Sequence, residues 1–146
     1  MKILILNGPN LNMLGTREKN VYGPLTLDEI NTKIKNYAKK YNINLEFQQS
    51  NHEGVLIDIL QNTQNKFAGV IFNPGAYSHT SIAIRDAIAS ISIPVVEVHI
   101  SNIYAREEFR HKSIIAPCCL AQVSGFGWQS YIVGLEGLIL KLIQVY

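Results

Sequence analysis

Five short apolar runs, KILIL, NLEFQ, FAGVIF, IPVVEVHI and CLAQVS, alternate with stretches whose apolar residues recur at helical spacing. No other feature constrains the fold as strongly. After the first run, Thr26 and Glu29 stand at the spacing of a capping box, followed by Leu27, Ile30, Ile34, Tyr37, Ala38 and Tyr41 on one helical face. Ser50 and Glu53 repeat the cap signal ahead of Val55, Leu56, Ile59 and Leu60. Ile82, Ala83, Ala87 and Ile88 predict a third helix after Ser78, and Tyr131, Leu135, Leu138, Ile139, Leu142 and Ile143 a long fourth. CLAQVS is the weaker of the runs, and the connection after the fourth run is the least clearly marked, with REEF predicting a short helix. Strands that alternate with helices in this way form a parallel sheet covered on both faces.

No repeat, low-complexity tract or linker interrupts the pattern, so residues 1–146 are expected to form a single domain. With 47% hydrophobic and 16% charged residues the composition is that of a globular chain, and no apolar run approaches the roughly 20 residues that span a bilayer. The opening MKILILNGPN is too short in its apolar part for a secretory signal, so a cytoplasmic location is expected. A net charge of +2 with no basic stripe argues against nucleic acid as a partner. Cys118 and Cys119 are adjacent, which suits neither an ordinary disulfide nor a metal site and leaves them as buried thiols.

A parallel sheet gathers the carboxyl ends of its strands on one edge, where ligands bind. The residues expected there are Asn7, Ser50, Asn73, His99 and Ser124, each polar after an apolar run. Pro74 and Gly75 after Asn73 make a turn that would aim side chains across this edge. Phosphate cradles of the G-x-x-x-x-G-K-[ST] or G-x-G-x-x-G type are absent, His52, His79, His99 and His111 are scattered, and no G-x-S-x-G elbow occurs. Acid–base chemistry remains. Glu97 and His99 are two apart on a strand, so they share a face, where the carboxylate would orient the imidazole and favour its protonated, acidic form. The same spacing also suits a plain charge pair at a strand end.

Gly8 to Gly23 is an unusually long connection for so economical a scaffold, and it carries Arg17 and Tyr22. A phenol ordinarily titrates near ~10, so serving as a base near neutrality demands about 4 kcal/mol of stabilisation for the phenolate. A guanidinium at ~4 Å supplies about 1 kcal/mol in water but about 4 kcal/mol at an effective dielectric of ~20. The pair would therefore work in a closed, dry site and fail in an open one, which suits a lid over residues 15–23 that assembles its own base.

Several long stretches resemble the type II 3-dehydroquinate dehydratase family. They are NGPNLNMLGTRE with the YG of the lid, FNPGAYSHTSIAIRDA, PVVEVHISNIYAREEFRHKS, and GFG followed by YIVGLEGL. Lys19-Asn20 departs from it, standing where a proline is expected after the Arg–Glu pair. The resemblance implies a flavodoxin-like, doubly wound α/β fold with a five-stranded parallel sheet. It implies a hydro-lyase of the shikimate or quinate pathway that converts 3-dehydroquinate to 3-dehydroshikimate by anti elimination through an enolate. It also implies no metal or other cofactor, and a dodecamer built from trimers. Carried onto this chain, Tyr22 is the base, held as phenolate by Arg17, and Asn10 stabilises the enolate through a water. His99, oriented by Glu97, is the acid. Asn73, His79 and Arg110 hold ring hydroxyls, while Ile100 and Ser101 take the carboxylate. Arg106 lines the rim, together with Asp86 from a neighbouring subunit. Two other readings of the residues stay open at this point: a flavin carrier of the same architecture, and a regulatory module that binds a sugar or phosphate.

Overall fold

In a computed structural model describing residues 1–144, the five apolar runs are strands: β1 (Lys2–Asn7), β2 (Asn44–Gln49), β3 (Gly69–Asn73), β4 (Val95–His99) and β5 (Ala121–Ser124). They form one sheet in the order β2-β1-β3-β4-β5, and every neighbouring pair is parallel. Alternate strand residues face opposite sides. Ile3, Ile5, Ile71, Val96 and Val98 pack with helices α1 (Leu27–Ala38) and α4 (Gln129–Ile143). Leu4, Leu6, Val70, Phe72 and Val95 pack with α2 (Glu53–Gln61) and α3 (Ile82–Ser90) on the other side. Burial on both faces is why β1, β3 and, apart from Glu97 and His99, β4 read as apolar runs. No helix among the described residues is long and apolar enough to cross a membrane.

The first helix start is as the spacing predicts: Glu29 N–H donates to Thr26 Oγ1 (3.2 Å) and Thr26 N–H to Glu29 Oε2 (3.0 Å). The second is not. Ser50 Oγ accepts from the His52 N–H at 3.0 Å, which ties the turn before α2, and His52 occupies the N-cap without a side-chain bond. The third helix carries Ile82, Ala83, Ala87 and Ile88 as the spacing predicts. Tyr77–Thr80 before it is a separate helical turn, Ser81 adopts an extended conformation, and its Oγ caps α3 by accepting from Ile84 N–H at 2.9 Å. After β4 the chain advances through three 3₁₀ turns, Ile103–Ala105, Glu108–Arg110 and Ala116–Cys118, so REEF contributes no regular α-helix. Cys118 and Cys119 are free thiols and half-buried rather than buried.

The loops after β1 and β3 meet backbone to backbone. A Cβ on Gly8 would lie 2.6 Å from the Pro74 carbonyl oxygen, and one on Gly75 would lie 3.0 Å from that of Pro9. Gly8 N–H donates to Asn73 O at 2.7 Å, which closes the junction. Only residues without a side chain permit this approach.

Candidate active site

Above the carboxyl ends of β1, β3 and β4 lies a cavity of about 170 Å³. That is well below the roughly 300 Å³ at which sites for drug-sized ligands begin, and it suits a small polar molecule. The opening loop contributes Asn10, Arg17, Glu18 and Tyr22, the end of β3 contributes Asn73, and the segment after it contributes Gly75, Ala76 and His79. From the end of β4 onward come His99, Ile100, Ser101, Arg106 and Arg110, while Pro9, Leu11, Leu14 and Ile103 supply apolar wall.

The opening loop is less irregular than its composition predicts. Leu11–Met13 forms a 3₁₀ turn and Lys19–Tyr22 a single α-turn, so Tyr22 is presented from a short helix. Glu18 starts that turn with φ 40° and ψ 48°. A proline at position 19 would oppose such a conformation in the residue before it, whereas Lys19 permits it. The Arg17 guanidinium carbon lies 5.2 Å from the Tyr22 ring centroid. Arg106, expected only at the rim, lies just as near at 5.1 Å and also donates from Nη1 to Ser101 Oγ (3.3 Å). Arg17 Nη2 is 3.2 Å from Glu18 Oε2, while its Nε is buried without a hydrogen-bond partner among the described residues.

The same cavity is lined by one member of a buried dyad. His99 Nε2 sits 2.7 Å from Glu97 Oε2, and Glu97 is wholly buried behind the ring, outside the cavity lining. Charging a carboxylate there costs several kcal/mol of lost hydration unless donors replace it. Ser113 Oγ donates to Oε1 (2.6 Å) and Gln122 Nε2 to Oε2 (2.5 Å). Burial pushes the Glu97 carboxyl upward, but hydrogen bonds and charge from His99, with Ser113 and Gln122, hold it below the usual carboxylate range. With Nε2 committed to Glu97, Nδ1 is the ring nitrogen left for a ligand. The His79 ring stacks on that of His99, with centroids 6.1 Å apart. Burial holds His79 toward its neutral form, with the charges of His99 and Arg110 adding to that, although its Nδ1 pairs with Lys112 O at 2.8 Å.

Asn73 lines the cavity, but its amide is already engaged. Its Nδ2 donates to Tyr131 Oη (2.9 Å) and its Oδ1 accepts from Gly75 N–H (3.1 Å), leaving one hydrogen and one lone pair for a ligand. Tyr131 in turn donates to Asn7 Oδ1. Arg110 points its Nε to Glu107 Oε2 at 2.7 Å. Asn10 is exposed, in the left-handed region with φ 68°, and its N–H donates to Asn51 Oδ1. Asp86 alone among the expected site residues stands apart. It lies on α3, exposed, beside Arg85 and away from the cavity lining.

Glu18, Ser113, Gln122 and Tyr131 belong to the site or its support without having been singled out from the sequence. Gln122 had a signal: a parallel register sets it beside Glu97, and it is a polar residue inside a strand. Among the described residues no group of three or more His, Cys, Asp or Glu side chains is placed to hold a metal ion.

Residues 1–139 match the family model described as dehydroquinase class II. A "3-dehydroquinate dehydratase" of Trichodesmium erythraeum is 55% identical over 94% of this chain and 91% of its own length. Among solved structures, a type II dehydroquinase from Butyrivibrio crossotus superposes with a TM-score of 0.93 at 51% identity, covering 95% of this chain and 97% of the other. A second, from Propionibacterium acnes, gives 0.90 at 38% identity and 94% of each chain.

Proposed function

The chain belongs to the class II dehydroquinase family, the type II 3-dehydroquinate dehydratases, and from that premise we propose that Tyr22 and His99 carry out its elimination step as base and acid. The enzyme is a hydro-lyase of the shikimate pathway. The proton to be removed lies next to a ketone, and the group to depart is a hydroxyl. Tyr22 as phenolate takes that proton, and the electron pair moves into an enolate. The enolate then expels the hydroxyl as His99 Nδ1 protonates it, so water leaves and a conjugated enone remains. Anti geometry follows if base and acid reach the ring from opposite sides.

The observation that carries this reading is one small cavity with Tyr22 beside two guanidinium groups and His99 backed by a buried carboxylate. Two cations near one phenol favour its anion, and a wall of fixed donors favours the enolate that forms. Asn10, at the cavity edge, stabilises that enolate through a water. Asn73, His79 and Arg110 hold ring hydroxyls, while the backbone at Ile100 and Ser101, with the Ser101 hydroxyl, binds the carboxylate. Nothing in this sequence of proton transfers calls for a metal or an organic cofactor.

The proposal extends to assembly. Asp86 has a side chain 68% exposed on the outer surface of α3, suited to completing the rim of a neighbouring copy's cavity in a dodecamer of trimers. Light scattering that gives a monomer would remove this part. The chemistry is tested by the enone absorbance that appears on adding 3-dehydroquinate. The wild type is expected to generate it, while Tyr22→Phe and His99→Ala lose roughly 10²–10⁴-fold with unchanged circular dichroism. Near-normal rates from either variant exclude that residue from the mechanism.

A further inference from the structure

We propose that Gln122 and Ser113 are positioning residues for the acid, keeping the shared proton of the Glu97–His99 pair on the imidazole. The proposal rests on the reading of His99 as the acid. An imidazole with a hydrogen on Nδ1 alone is a very poor acid, because losing it leaves an imidazolate. Only the doubly protonated ring can deliver a proton to a departing hydroxyl. That state requires Glu97 to be anionic, and Glu97 is fully buried, with Phe72 beside it in β3. A buried carboxylate with the imidazolium as its only partner would take the proton itself, giving a neutral acid against a neutral ring.

The structure supplies two donors against that outcome. Gln122 faces Glu97 across the β4–β5 pairing and donates to Oε2, the same oxygen that receives His99 Nε2. Ser113 comes from the loop after β4 and donates to Oε1 at 2.6 Å. Its own oxygen accepts from Ala116 N–H at 3.1 Å, which directs the hydroxyl hydrogen toward the carboxylate. Both oxygens are thus held by uncharged donors from two separate elements. Among the other ionisable groups near the pair, His79 stacks on His99, Cys119 lies against the Glu97 backbone, and Arg17, Glu18, Tyr22, Arg106 and Arg110 line the same cavity as His99. Burial and nearby charge favour the neutral forms of His79 and Cys119, so neither substitutes for the two donors.

The test uses the full chain with ¹⁵N-labelled histidine, with the His99 signals assigned by their loss in His99→Asn. At neutral pH the wild-type ring is expected to show the imidazolium pattern. Gln122→Met and Ser113→Ala should each move it to the neutral pattern with Nε2 unprotonated, and each should lower kcat roughly tenfold with KM little changed. Ser113→Thr, which keeps a hydroxyl, should restore both. The two sites lie on different elements, so misfolding of one variant leaves the other informative. An unchanged His99 pattern in a folded variant overturns the proposal, whatever its turnover. Wild-type turnover by His99→Asn overturns it as well, and that variant alone identifies the failure as one of the acid assignment.

Discussion

Arg106 and Arg17 place their guanidinium carbons at nearly equal distances from the Tyr22 ring, 5.1 and 5.2 Å. One of these cations belongs to the opening loop and the other to the wall beyond β4, so the charge around the phenol does not depend on that loop alone. A cation beside a phenol favours its anion. Arg17→Ala and Arg106→Ala should therefore each raise the pH at which activity switches on, with a larger rise in the double variant. A pH profile of kcat whose acidic limb stays in place in both singles would contradict the electrostatic role.

Tyr131→Phe should damage the site without touching the ligand. Its hydroxyl accepts from Asn73 and donates to Asn7, whose side chains are 3% and 1% exposed. Deleting it strands two buried polar groups, at a cost of about 1–3 kcal/mol. A lower thermal midpoint at matched protein concentration, with KM raised several-fold, is the expected result. A variant with wild-type stability and KM would mean that Asn73 is held by Gly75 alone.

Glu97 predicts the direction of acid sensitivity. Its carboxyl is held below the usual range in the folded chain, against about 4.3 when unfolded. The folded state then binds the proton more weakly, so the stabilisation is fully present above ~4.3 and lost as pH falls through the lower folded value. The gap in urea midpoint between wild type and Glu97→Gln should be widest near neutrality and narrow as the pH falls below the usual carboxylate range. A gap independent of pH would show that the charge contributes nothing.

Cys119 should resist alkylation. Burial, the charge of Glu97 and the neighbouring Cys118 push its thiol up to about 12. At pH 8 only roughly 10⁻⁴ of it is then thiolate, the nucleophilic form. Iodoacetamide should leave Cys119 unmodified in the native protein and label it in urea, as read by peptide mass mapping. Rapid native labelling would place the thiol in a different environment.

The sheet was legible because β1, β3 and β4 are buried on both faces and are predominantly apolar, β4 being broken only by Glu97 before its end at His99. The Glu97–His99 pair was legible because strand geometry puts residues two apart on one side. Ser50 misled because a cap depends on backbone conformation as well as spacing, and its hydroxyl is used by the turn one step earlier. Arg106 over Tyr22 and Tyr131 beneath Asn73 join segments about 84 and 58 positions apart in the chain, and nothing local in either segment marks such a meeting. Gln122 lay between these cases, since its strand was evident but its partner required the register.

Where Gly8 and Gly75 let two turns touch, part of the cavity floor is peptide backbone, and no rotamer change can widen or narrow it. Whatever enters is measured on one side by a fixed ruler and on another by the changeable side chains of the opening loop. Adjustments to which molecule is accepted therefore fall to residues such as Arg17 and Glu18, while a methyl group added at either glycine would displace the strand ends themselves and disable every ligand alike.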